Sequence, residues 1–246
     1  MPLSVRRVLR TFRYAMYFNG VNSYVFVSRS SSLEPSQLTV SVWANMNSLI
    51  SRDWGPMFVS KYNGKYQGYT LFLIGTSGRP TFRIATPNVF YEAISPVAIT
   101  MNSWYFITGV WDGSNIYIYV NSVLKNSASA PAITHSADLY IGREGWAPYG
   151  YVNGFIFQVL IYSRALPDSE IQWNYQYPDN PVRNGLVLWL QAHPDYIKDI
   201  DGDGVLEWVD LSGYGNHGKI YGAQLVELVK THARVLKPAR LLAPAR

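Results

Sequence analysis

The residues best suited to chemistry stand close together late in the chain. Residues 199–210 read Asp-Ile-Asp-Gly-Asp-Gly-Val-Leu-Glu-Trp-Val-Asp. With Asp199 as position 1, acids fall at 1, 3 and 5 (Asp199, Asp201, Asp203), glycine at 6 (Gly204), and acids again at 9 and 12 (Glu207, Asp210). That is the ligand spacing of an EF-hand-type loop closed by Asp instead of Glu. Calcium is a hard cation that takes about six to eight oxygens, and the carbonyl of Val205 at position 7 would add to the carboxylates. The expected ligand set is therefore Asp199, Asp201, Asp203, Val205, Glu207 and Asp210, with calcium as the cofactor. The flanks do not read as two long helices, so the ion would fold an acidic loop that otherwise repels itself, without acting as a switch. A solvated acidic turn is the alternative.

Other patterns carry less. Residues 213–219, Gly-Tyr-Gly-Asn-His-Gly-Lys, fit the spacing of a phosphate-binding loop, but Ile220 stands where Ser or Thr would hold magnesium, and no βαβ pattern surrounds them. They read as a glycine-rich turn. His135, His193, His217 and His232 show no metal-ligand spacing. Glycoside hydrolysis needs two converging carboxylates, and no predicted strand carries acids at alternate positions. Glu34, Glu92, Glu144 and Glu170 are isolated in sequence. No catalytic residue is expected, and the protein is not expected to be an enzyme. The candidates for ligand contact are aromatics in turn-rich stretches: Trp54 beside Asp53, and Trp146 and Tyr149 beside Glu144, with Arg143 able to bond hydroxyls. An exposed indole offers a flat apolar platform to a sugar face. The same rings could instead cap the ends of a sandwich.

The elements that must position these residues read as short strands. In residues 38–44, Val40, Val42 and Ala44 alternate with Thr39, Ser41 and Trp43, and in residues 115–120, Ile116, Ile118 and Val120 alternate with Tyr117 and Tyr119. Period two with one apolar face marks a half-buried strand. Similar stretches lie at 24–27, 69–74, 81–84, 104–110, 155–162 and 186–190. Between them come turn pairs such as Asn19-Gly20, Ser77-Gly78 and Asp112-Gly113. A short helix is expected over 167–175, with Pro167 at its first position and Asp168 and Glu170 favouring its positive end. Residues 178–184 read as a linker. Beyond residue 222, Leu225, Leu228, Val229, Val235 and Leu236 fall near helical spacing and predict a basic amphipathic helix, with an irregular strand as the competing reading.

Composition bounds the rest. Among 246 residues, charged residues make up 15% and aromatics 15%, which suits a sheet-rich globular chain and argues against disorder or a coiled coil. The absence of cysteine excludes disulfides and thiolate metal sites. The longest apolar run, 185–190, is far short of the ~20 residues of a membrane span. Residues 1–13 carry Arg6, Arg7, Arg10 and Arg13 without an apolar stretch of signal-peptide length. An extracellular or virion-surface location would then require a signal removed beforehand or arrival inside a virus particle. The net charge of +5 is uneven: no acid precedes Glu34 or follows Glu227. Basic ends could touch nucleic acid or an acidic surface, or simply be solvated.

An ordered series runs through residues 14–175: Tyr14-Ala15-Met16-Tyr17-Phe18-Asn19-Gly20 with Asn22-Ser23-Tyr24-Val25, then Leu38 to Trp43, Trp104-Tyr105-Phe106, Asp112-Gly113-Ser114, Tyr117 to Asn121, Leu139-Tyr140-Ile141-Gly142, Gly154 to Val159, Ile161 to Leu166, and Glu170-Ile171. On these blocks the chain resembles the laminin-G-like, concanavalin-A-like lectin superfamily. The resemblance implies an all-β, two-sheet jelly-roll sandwich with one short helix, here followed by a C-terminal segment bearing the EF-hand-like loop. Two positions depart from the family pattern. Asn121-Ser122 stands for Asn-Gly, and Ile156-Phe157-Gln158-Val159 stands for Ile-Asp-Glu-Val, so no role of those acids carries over.

The blocks Gly185 to Leu190, Trp208 to Gly213 and Gly215 to Gly218 resemble what normally precedes the first family strand, yet they follow the core here. The expected organisation is a core over 1–177, a linker over 178–184, displaced strands with the calcium loop over 185–222, and a basic tail over 223–246. The displaced strands could complete their own sandwich or a neighbour's. Two classes of function follow: non-catalytic recognition of a glycan or protein surface, and a self-assembling homo-oligomer or polymer in a virion or filament.

Overall fold

The computed structural model describes residues 12–50, 54–62, 64, 67–87, 89–132 and 137–228, and the backbone of 233–235. Twelve strands come first: β1 (Tyr14–Asn19), β2 (Tyr24–Val27), β3 (Leu38–Met46), β4 (Met57–Tyr62), β5 (Gly68–Ile74), β6 (Arg79–Thr86), β7 (Val89–Ile94), β8 (Trp104–Trp111), β9 (Asn115–Val120), β10 (Val123–Ser129), β11 (Leu139–Ile141) and β12 (Asn153–Tyr162). The helix α1 (Asp168–Gln176) follows. After it come β13 (Leu186–Gln191), β14 (Ile197–Lys198), β15 (Glu207–Trp208), β16 (Gly218–Tyr221), β17 (Gln224–Leu228) and β18 (Ala233–Val235).

These strands form two antiparallel sheets stacked as a sandwich. One runs β10-β9-β8-β3-β12-β1-β17-β18, with β13 also on β12, and the other runs β14-β15-β16-β2-β11-β4-β5-β6-β7. Alternation decides which side chains meet between the sheets. In the second sheet, Ile220, Val25, Ile141, Val59, Leu71, Phe82 and Ala93 lie opposite one another in register and make one apolar row facing the core. The sheets interdigitate closely there: a Cβ on Gly109 of β8 would fall 2.3 Å from the Phe82 ring. The intervening row on the opposite face is polar except at Phe26: Glu92, Arg83, Thr70, Ser60, Tyr140, Phe26, Lys219 and Glu207.

The strand β3 is buried on both faces, although half-burial is what its alternation predicts. Its second face is covered by α1 and the residues around it. Trp43 stacks on Tyr175 at 5.4 Å, and Thr39 Oγ1 donates to Arg164 O while accepting from Leu166 N. Pro167 lies just outside the helix in extended conformation, and its carbonyl accepts from Glu170 N and Ile171 N. Residues 178–182 are strapped to the core, because Gln158 Nε2 donates to Pro178 O and Tyr162 Oη to Val182 O. The side chain that replaces a family acid is thus a neutral, buried amide holding this strap.

The segment after the strap pairs within its own chain. The strand β13 lies along the C-terminal half of β12, β16 along β2, and β17 along β1. The backbone groups that could have completed a neighbouring sandwich are therefore hydrogen-bonded internally. A helix over the start of the tail does not form. The open edge of β1 offers unpaired backbone groups, so Gln224–Leu228 extends against Tyr14–Tyr17 with Val226 buried. Further along the expected helix, Ala233–Val235 is also a strand, paired with β17; the basic residues Arg6, Arg7, Arg10, Lys230, Lys237, Arg240 and Arg246 lie outside the described residues.

Candidate functional site

Three segments converge on the polar face of the second sheet. Trp54 precedes β4, Tyr62 ends it, Arg83 and Phe90 come from β6 and β7, and Glu144, Trp146 and Tyr149 come from the loop between β11 and β12. Together with Gly64 they line a cleft of about 280 Å³. That is near the lower end of the roughly 300–1,000 Å³ of small-ligand pockets, suited to one or a few sugar-sized units. Main-chain bonds fix the loop, from Glu144 N to Tyr149 O at 2.9 Å and from Met57 N to Gly150 O at 2.9 Å. Two indoles form exposed walls: Trp54 is 46% and Trp146 53% exposed. Gly64 sits beneath Trp146, at φ +75°, where a Cβ would meet the indole at 3.0 Å.

The floor is charged and buried. Arg83 is only 6% exposed; it bonds Glu92 through Nε at 2.7 Å and Nη2 at 2.5 Å. Its faces lie against Trp54, Phe72 and Phe90, with the guanidinium carbon 4.9, 4.6 and 4.4 Å from the ring centres. Glu144 is 1% exposed, and its Oε1 accepts from Ser60 Oγ at 2.5 Å and Gly145 N at 2.7 Å. Burial pushes the Glu144 carboxyl above the ordinary carboxylate range, against the pull of those bonds and of Arg83 and Arg143. The hydroxyl of Thr70, between Ser60 and Arg83 in the same cross-strand row, is buried without a hydrogen-bond partner among the described residues.

The acidic loop forms a separate arrangement beside β16. Asp199 accepts from Gly202 N and Gly204 N, Asp201 from Asp203 N, and Asp203 from Val205 N. These turns bring one carboxylate oxygen each of Asp199, Asp201 and Glu207 within 4.8 Å of one another. Three carboxylates so gathered fit a hard cation with oxygen ligands. The ammonium of Lys219 already bridges Asp201, at 2.9 Å, and Asp203. Its hydrogen bond holds the Asp203 carboxyl below the usual range. Asp210 is not brought to this group. It is buried elsewhere, with Oδ1 accepting from Trp189 N and Ser212 N and Oδ2 from Ser212 Oγ and Asn216 N.

Comparison with known proteins bears on the first of these sites. Residues 19–172 match the Concanavalin A-like lectin/glucanases superfamily. The chain belongs to that superfamily. Among solved structures, a putative carbohydrate binding protein from Bacteroides ovatus is similar at TM-score 0.69 and 15% identity, covering 93% of this chain and 62% of that one. Domain 4 of the extracellular arabinanase AbnA from Geobacillus stearothermophilus, in complex with arabinotriose, gives TM-score 0.52 and 21% identity over 64% of this chain and 74% of that one. The binding domain of botulinum neurotoxin DC, in complex with SialylT, gives 0.51 and 15% over 66% and 41%. At these identities the likeness is one of fold. The chain thus spans under two thirds of the Bacteroides protein. Curated proteins give no match.

The superfamily match contains every residue of the aromatic cleft and stops before the acidic loop. Of the ligand-contact residues expected from sequence, Trp54, Trp146 and Tyr149 meet in that cleft. Arg143 does not line it; its guanidinium lies against the rings of Tyr24 and Tyr140, at 4.4 and 4.3 Å from their centres. The cation at the floor is Arg83, which sequence reasoning passed over as one polar position of a strand. Its outward parity was legible, but its pairing with Glu92 depends on the β6–β7 register. The departure at Asn121-Ser122 changes little, since both residues keep left-handed backbone, φ 52° and 63°, in the β9–β10 turn.

Proposed function

We propose that this chain is a non-catalytic carbohydrate-recognition module that seats a glycan in the Trp54–Trp146 cleft. The observation that carries this reading is the pairing of two half-exposed indoles with a buried, bonded Arg and Glu beneath them. Such walls offer stacking faces to sugar C–H groups, and such a floor offers directional bonds to hydroxyls. The fold's likeness to carbohydrate-bound domains supports the same reading. Hydrolysis of a glycosidic bond normally uses two carboxylates across the scissile bond, whereas Glu144 is the one carboxylate among the described residues lining this cleft. Such a module would meet its glycans at an extracellular or virion surface.

The acidic loop fits calcium through Asp199, Asp201 and Glu207, with Lys219 withdrawing from Asp201 as the ion enters. Bound calcium would stabilise β14, β15 and the turn between them, far from any chemistry. A glycan array probed with the intact chain tests the recognition reading. Binding should appear and should fall at least tenfold in Trp146→Ala, whose exposed side chain leaves the fold intact. An array blank at high micromolar protein would remove the reading. Calorimetric titration of calcium into chelator-treated protein tests the second site, where no heat would exclude it.

A further inference from the structure

We propose that the cleft selects uncharged glycans, rejecting sialylated, uronate and sulfated counterparts; this rests on the carbohydrate-recognition reading above. The argument begins with charge. Among the described residues, the groups acting on the floor are Arg83, Arg143, Glu92 and Glu144. Arg83 is neutralised by Glu92 in a tight ion pair, and Arg143 lies against the rings of Tyr24 and Tyr140, outside the lining. The four charges sum to zero, so a neutral ligand leaves the balance intact. An acid group would stand beside the buried carboxylate of Glu144, and among the described residues the one cation lining the cleft, Arg83, is already paired with Glu92; like charges placed together in a desolvated site are strongly disfavoured.

Hydrogen-bond capacity points the same way. Glu144 spends Oε1 on Ser60 and Gly145, which leaves Oε2 as an acceptor without a donor among the described residues. Arg83 spends Nε and Nη2 on Glu92, which leaves Nη1 as a donor. An open acceptor and an open donor between two stacking walls suit sugar hydroxyls, which both give and take a proton. A carboxylate or sulfate can only accept, so it could take the Nη1 donor but would leave Glu144 Oε2 facing another acceptor.

The test uses the intact chain on matched glycan pairs: galactan against polygalacturonan, galactose-terminated against sialic-acid-capped oligosaccharides, and unsulfated against sulfated galactan. Neutral members should bind at least tenfold more tightly than their acidic counterparts. In Glu144→Gln, with folding checked by circular dichroism, that gap should shrink severalfold, because the amide keeps an acceptor for Ser60 and Gly145 without the charge. Equal or tighter binding of the acidic members overturns the inference while leaving glycan recognition standing. A gap unchanged in folded Glu144→Gln also overturns it. Binding to no member of any pair removes both.

Discussion

Asp210→Ala separates a motif read from spacing from the structure that spacing folds into. Sequence places Asp210 at the closing ligand position of a calcium loop, but its carboxylate instead accepts four hydrogen bonds that tie β13 to the turn over 212–216. Two of the donors, Trp189 N and Asn216 N, are buried. Leaving a buried donor unsatisfied costs about 1–3 kcal/mol, so losing both partners should cost roughly 4 kcal/mol. For a domain of this size that lowers the Tm by about 8–16 °C. The loss should appear fully in chelator, since no ion takes part in it. Calcium affinity in the same variant, measured by calorimetry below its melting range, should change less than threefold. Asp201→Asn should do the reverse, abolishing the calcium heat while leaving the chelated Tm within about 2 °C, as expected for an exposed surface change. If Asp210→Ala keeps the chelated Tm and loses calcium, Asp210 is a ligand and the hydrogen-bond reasoning is wrong.

Three further outcomes follow from the cleft and the loop. Gly64→Ala adds a Cβ at φ +75° against the Trp146 indole, so it should weaken glycan binding severalfold and cost about 1 kcal/mol in denaturant melts; unchanged affinity would show that the indole's position does not matter. Glu144 has a folded pKa raised by burial above 4.5, so its contribution to stability is full below that value and is lost as pH rises through the folded value. Subtracting the Tm-versus-pH curve of Glu144→Gln from that of the native chain should therefore give a decline on the alkaline side of pH 4.5, and a flat difference would refute the burial argument. Lys219→Met removes the ammonium that bridges Asp201 and Asp203, and should tighten calcium binding in calorimetry by several-fold, with weaker binding as the contrary result.

Sequence alone determined the sandwich because alternation is a local property. A strand with one apolar face states its own period, and turn pairs such as Asp112-Gly113 state where it stops. The strands at 24–27 and 115–120 stand where that period puts them. Sequence also marked Trp54, Trp146 and Tyr149, since large rings in turn-rich stretches have no strand face to hide in. Tertiary structure decided the rest, because register is a relation between segments far apart in the chain. It gave Arg83 its partner Glu92 and carried Glu144 onto Ser60, 84 residues away. It laid Arg143 against two tyrosines on neighbouring strands and turned Asp210 from the acidic loop to the backbone of β13. It also stretched the first residues of the tail into a strand, since the unpaired edge of β1 outweighs a weak helical period. Spacing along a chain states which groups could meet, and pairing between strands states which of them do.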